Sequence, residues 1–372
     1  MEKENKSKTI QMMRLGFPTT DGRLLYEKTK VETNKTISRL ISKARSNAKN
    51  GTCWICGKEC TSFCNSHSIP RFVLNRVSDT GIVLAPLQEE IPTLGKSLGI
   101  NKAGTFHLIC NECDNTLFQD YENPSSYINR PTDKVLAQIA LKNCLQMISK
   151  RNEEQELYKI LGQEYENGKS IVEEKLSIAE MDLNEYVSSF RYAYKTIQSS
   201  NTKNKYYLCY YRVLDYVVPY ATQSGIAIVS DFEDATINNI FCDSSDYKIK
   251  SIHCTILPLK KTSVVMLFVE NGEKRYRKFY KQLNKLTPED QLAAINYIVF
   301  SYTENVFMHP NTALAMQNNP EFMDACRKST DIISGLPLLL KDPLTIAIDD
   351  FSLSNRNRIP NLLCRDYALE PD

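Results

Sequence analysis

Two Cys-x2-Cys pairs, Cys53/Cys56 and Cys110/Cys113, constrain this chain before any other feature does. A pair of this spacing aims both sulfurs at one point when a tight turn follows, and Gly57, directly after Cys56, permits that turn. Two pairs supply four thiolates, the full donor set of a closed tetrahedral zinc site. The sequence therefore predicts structural zinc on Cys53, Cys56, Cys110 and Cys113, which would contribute on the order of 10 kcal/mol to folding. Chance spacing of inert thiols is the competing explanation. Twelve cysteines could also suit a disulfide framework, but MEKENKSKTIQMMRLG lacks the apolar core of a secretory signal. Cys144, Cys209, Cys242, Cys254, Cys326 and Cys364 stand singly and read as inert. Cys60, Cys64 and His67 form a Cys-x3-Cys-x2-His string that leaves a second metal open.

At 372 residues and 42% apolar content, the chain exceeds one common domain and can bury ordinary cores. No apolar run approaches the roughly 20 residues that span a bilayer, so no membrane partner is expected and the cytoplasm is the default compartment. GxGxxG, GxxxxGK[ST] and GxSxG are all absent, which removes the common nucleotide-binding and hydrolase fingerprints. Residues 1–113 hold 17 Lys and Arg against 10 Asp and Glu, whereas the rest of the chain is net acidic. Counterion release favours a polyanion against the basic part, though a solvated face would also account for it.

Residues 1–50 read as a basic arm ending in a helix, in which Ile37, Leu40, Ile41 and Ala44 recur at helical spacing before Gly51 stops it. That helix could lie along phosphates or simply pack on the knuckle domain. Residues 79–105 look like an insertion or a long loop between the two cysteine pairs. DNTLFQDYE, after Cys113, could open a helix with Asp114 near its start. Beyond residue 125, DKVLAQIALKNCLQMISK and IVEEKLSIAEMDLNEYVSSFRYAYKTI are helical. KYYLCYYRVL, YVVP, GIAIVS, IHCTILPL and SVVMLFVE read as strands, and PEDQLAAINYIVFSYTENVF as a helix. His253 is expected on a sheet face and His309 at a helix end. The basic, aromatic EKRYRKFYK stretch fits either phosphate contact or a solvated helix.

His67 stands in NSHSIPRF, three residues before Pro70 and between the two cysteine pairs. With those pairs it resembles the HNH, or ββα-metal, endonucleases. It is also similar to a broad bacterial group with a Ser-His-x-Ile-Pro segment. The resemblance implies that His67 is the general base and that Asp114, directly after Cys113, binds a catalytic Mg²⁺ or Mn²⁺. His107 would substitute for the missing central Asn. Arg71 could clamp a neighbouring phosphate or simply reach solvent or a carboxylate. Two positions depart from the motif: Ser66 stands where a metal-binding Asp or His is usual, and Thr105 where the Asn is expected.

The expected fold class is α+β. A basic N-terminal arm and helix, 1–50, precedes a small zinc-stapled HNH-like ββα-metal domain, 51–125. A larger α+β domain with a mainly antiparallel sheet, 126–372, follows. The resemblance implies a metal-dependent endonuclease acting on nucleic acid, DNA ahead of RNA, in a setting such as antiphage defence. A protein partner or regulator would meet the C-terminal domain. The alternative is a non-catalytic zinc module that binds nucleic acid or protein.

Overall fold

The computed structural model describes residues 35–36, 38–49, 51–86, 97–164, 169–242, 244, 246–329 and 342–370. The expected arm, 1–34, lies outside these. Residues 38–47 form α1, and of the predicted stripe Leu40 and Ala44 are buried against Ile160 and Leu161, Ile41 is half-buried and Ile37 lies outside the described residues. Arg45 anchors it to Glu153 at 3.1 Å. This helix therefore docks on another helix rather than on the cysteine-rich segment.

The stretch between the cysteine pairs is built from short pieces. They are β1 (Ser66–His67), α2 (Arg71–Val77), β2 (Ile82–Val83), β3 (Leu98–Gly99), β4 (Thr105–Phe106) and α3 (Asn111–Leu117). β1 pairs antiparallel with β4, placing Ser66 opposite Phe106 and His67 opposite Thr105. β2 pairs with β3. Two long helices follow, α4 (Asp133–Glu164) and α5 (Lys169–Gln198), packed side by side.

The sheet consists of β5 (Tyr206–Leu214), β6 (Tyr220–Ile226), β7 (Ile252–Pro258), β8 (Ser263–Glu270) and β9 (Val306–Met308). Its order is β5-β8-β7-β6-β9, antiparallel throughout. Alternation along β7 and β8 divides its side chains between two cores. Cys254, Ile256, Val265, Leu267 and Val269 face α6 (Arg277–Leu283) and α7 (Pro288–Tyr302). Leu257, Val264, Met266 and Phe268 face α4 and the cysteine-rich segment. Because both faces are covered, these strands read as continuous apolar runs without a polar period.

Two elements differ from expectation. The expected helix from Pro288 ends at Tyr302, and Val306 and Phe307 belong instead to the edge strand β9. β6 is YATQSGI, lying between the expected strands YVVP and GIAIVS. Its Thr222, Gln223 and Ser224 are buried, with Thr222 Oγ1 donating to Asn305 O at 2.9 Å.

The second core runs without a break across residue 125. Ile69, Val73, Phe118 and Tyr121 share it with Val135, Leu136 and Ile139 of α4 and with Phe268 and Phe307 of the sheet. The cysteine-rich segment is also joined to the sheet edge, since Leu84 and Met308 exchange backbone hydrogen bonds of 3.0 and 2.8 Å. Among the described residues, no helix is long and apolar enough to cross a membrane.

Candidate metal centre and the histidine site beside it

The two cysteine pairs meet. The sulfurs of Cys53, Cys56, Cys110 and Cys113 all lie within 4.8 Å of one another, and Cys56 and Cys110 are 3.9 Å apart. Tetrahedral zinc with bonds of about 2.3 Å would set its sulfurs at about 3.8 Å. The first knuckle closes through Gly57 N–H to Cys53 O at 2.8 Å and Cys53 N–H to Lys58 O at 2.9 Å. Gly57 has φ +70°, the left-handed value expected of the turn glycine. Trp54 N–H to Leu108 O at 3.0 Å ties the first pair to the segment leading into the second. Burial works against a thiolate at Cys53, but the backbone N–H groups of Cys56, Cys110 and Ile55 outweigh it and bring its pKa down to about 7. Burial and the three neighbouring sulfurs push Cys113 far up. Four such sulfurs cannot all ionise without a cation between them, so this donor set could hold a metal ion.

His67 sits on β1 beside this centre, partly buried. Its Nε2 lies 2.9 Å from the Ile100 carbonyl. A carbonyl only accepts, so Nε2 carries the proton and Nδ1 keeps its lone pair. Burial holds the imidazole pKa below its usual 6.5, with the Lys142 and Arg71 charges acting in the same direction; the Ile100 carbonyl and Asp114 oppose them. The ring is neutral near pH 7, as a general base must be.

Asp114 and Ser66, the two residues at the motif's metal positions, do converge. Ser66 Oγ donates to Asp114 Oδ1 at 2.6 Å, and Cys64 Sγ lies 3.4 Å from Oδ2. Between them, however, stands Lys142 from α4. Its Nζ is 2.7 Å from Asp114 Oδ1 and 2.7 Å from Ser66 Oγ, and its side chain is 0% exposed. The ammonium also lies 4.1 Å from the centroid of the Phe118 ring. Burial alone would raise the Asp114 pKa, but Lys142, Ser66 and Cys64 hold it below 3.8. An added Mg²⁺ or Mn²⁺ does not fit this arrangement, because the carboxylate and hydroxyl are already satisfied by a resident cation.

The other expected site residues are dispersed. His107 is exposed and faces Lys49, Arg45 and Glu153, away from Asp114, so the expected triad of His67, Asp114 and His107 is not brought together. Arg71 is exposed at the start of α2, close enough for its charge to act on His67. Cys60 Sγ turns to Lys58 O at 3.4 Å and Cys64 to Asp114, so the Cys60–Cys64–His67 string does not gather round one point. Phe118 and Tyr121 pack in the core, with Tyr121 Oη donating to Ser68 O at 2.8 Å. His253 is buried on the sheet face, 3.1 Å from Asn143 Nδ2 and stacked on Phe268. His309 precedes the helix Pro310–Gln317 but makes no side-chain cap. In EKRYRKFYK, Tyr276 and Phe279 are core residues and Lys278 pairs with Asp231 and Glu233.

Lys142 was not among the expected site residues. Its signal was present: Gln138, Lys142, Gln146 and Ser149 recur along one side of the mostly apolar first half of α4, a pattern that reads as a solvent face. All four are buried, and Gln138 Nε2 donates to Leu117 O at 2.7 Å. No family model matches the chain, and no curated protein or solved structure matches it either.

Proposed function

We propose that this chain is a zinc-stapled ββα protein of the HNH kind that acts on nucleic-acid phosphodiester bonds, with His67 as general base. The observation that supports this reading best is the pairing of the Nε2–H of His67 with Ile100 O, which leaves a neutral Nδ1 able to accept a proton from an attacking water. The antiparallel pair β1–β4 followed by α3, with His67 on the first strand and Asp114 on the helix, is the chain path that the resemblance implies. Zinc on Cys53, Cys56, Cys110 and Cys113 would fix the two halves of this unit and take no part in the reaction. Arg71 would hold a phosphate oxygen near His67. A regulator would have the concave surface between α4, α5 and the sheet, a cleft of about 1190 Å³ bordered by Arg151, Tyr186 and Lys250.

A second reading, a module that binds nucleic acid without cleaving it, is favoured by Lys142 on Asp114. Zinc-loaded protein incubated with DNA or RNA, with and without Mg²⁺ or Mn²⁺, separates the two. Cleavage that disappears in His67→Gln, with zinc content unchanged, supports the first reading. Equal cleavage by both proteins removes His67 as base, and binding without cleavage selects the module.

A further inference from the structure

The position that an HNH-like unit reserves for a divalent metal is the space between Ser66 and Asp114, and here it is filled from within the chain. We infer that the Lys142 ammonium is the resident cation of this site, standing in for a divalent metal, so that Ser66 and Asp114 do not take up Mg²⁺ or Mn²⁺. This inference rests on the HNH-like reading for the meaning of the position, and on the geometry alone for its occupant.

Three observations carry it. Donors and acceptors are matched: Asp114 Oδ1 receives both Lys142 and Ser66, Oδ2 faces the Cys64 thiol, and the Ser66 hydroxyl accepts from Lys142 while donating to Asp114. A divalent ion bound at about 2.1 Å from the same oxygens would overlap the ammonium and meet its charge. The surroundings also suit an ammonium. Phe118, Tyr121 and Phe106 present their rings to Nζ at 4.1, 5.5 and 5.8 Å from their centroids, a cation–π box that suits an alkylammonium. Finally, the ammonium is delivered by α4, whose Leu136, Ile139 and Leu145 are locked in the core, so it arrives with folding and needs no binding from solution. Being fully buried, Lys142 acts as a positioning residue. It fixes the Asp114 carboxylate, and its charge acts on His67.

The test is titration of the zinc-loaded full chain with Mn²⁺, read by the electron paramagnetic resonance of free Mn²⁺. Wild type and Asp114→Asn are expected to give superimposable curves, because no Mn²⁺ site depends on Asp114. Lys142→Met, which keeps the straight apolar stem, is expected to gain one Mn²⁺ site that Lys142→Met/Asp114→Asn lacks. A wild-type Mn²⁺ site abolished by Asp114→Asn overturns the inference. So does a folded, zinc-replete Lys142→Met protein with no such site. If Lys142→Met fails to fold, the comparison of wild type with Asp114→Asn still decides. The readout is metal occupancy, so absence of nuclease activity would refute the proposed function and leave this result to stand or fall by itself.

Discussion

Removing one member of the Lys142–Asp114 pair should cost far more than removing both. The Nζ–Oδ1 distance is 2.7 Å, and the side chains are 0% and 17% exposed, so water can replace little of what either partner loses. Lys142→Met leaves a desolvated carboxylate with only the Ser66 and Cys64 hydrogens. Stranding a buried charge costs about 3–5 kcal/mol, and the residual exposure of Asp114 places this variant near the lower end. Asp114→Asn strands the ammonium in its aromatic box at a similar cost. The double variant, Lys142→Met/Asp114→Asn, is neutral and retains most of the packing, for a loss of about 1 kcal/mol. With each single near about 3 kcal/mol and the double near about 1, the coupling should be about 5 kcal/mol, measured by urea unfolding of the zinc-loaded proteins. The pH profile gives an independent check. The Asp114 pKa is depressed below 3.8 in the folded state, so its contribution is present above that value and lost as pH falls through the folded pKa. Asp114→Asn should flatten this acid limb. Additive single variants, with coupling under about 0.5 kcal/mol, would refute the reasoning.

Three further outcomes are expected. Metal analysis should find one zinc per chain, and Cys110→Ser should lose it together with cooperative melting, since the four thiolates form one site. Gly104→Ala should destabilise by about 2–4 kcal/mol in the same urea assay. Gly104 has φ +62°, and the added methyl would stand 2.6 Å from Ser68 Oγ and 3.0 Å from the Phe307 ring. His253, whose pKa burial lowers to about 4, should titrate there by NMR. Because its folded pKa is depressed, it should draw stability away as pH falls from 6.5 towards 4, by on the order of 3 kcal/mol in all.

The parts of the fold legible in the sequence are those whose signals are local. The knuckle glycine, the paired cysteines and the long periods of α4 and α5 each announce themselves within a few residues. β6 did not, because Gln223, Ser224 and Gly225 look like a turn until Asn305 and the neighbouring strands supply their partners from elsewhere in the chain. β9 was hidden for another reason: an apolar run has no period of its own once Thr303 has ended the helix. At the candidate site, His67 and Asp114 could be placed by motif, but their environment could not. The cation beside them comes from α4, and nothing near residue 142 announces a carboxylate near residue 114.

The exchange between Leu84 and Met308 lets the cysteine-rich unit cover an edge of the sheet. β9 is an outer strand of the sheet, and an uncovered outer strand offers its N–H and C=O groups to any passing chain. Leu84 covers that flank, and it is held there by a segment whose two ends are fastened at the four sulfurs. Chelation should therefore do more than loosen a small unit: it should unguard the sheet and promote self-association. Light scattering should rise with zinc release, before the sheet itself melts.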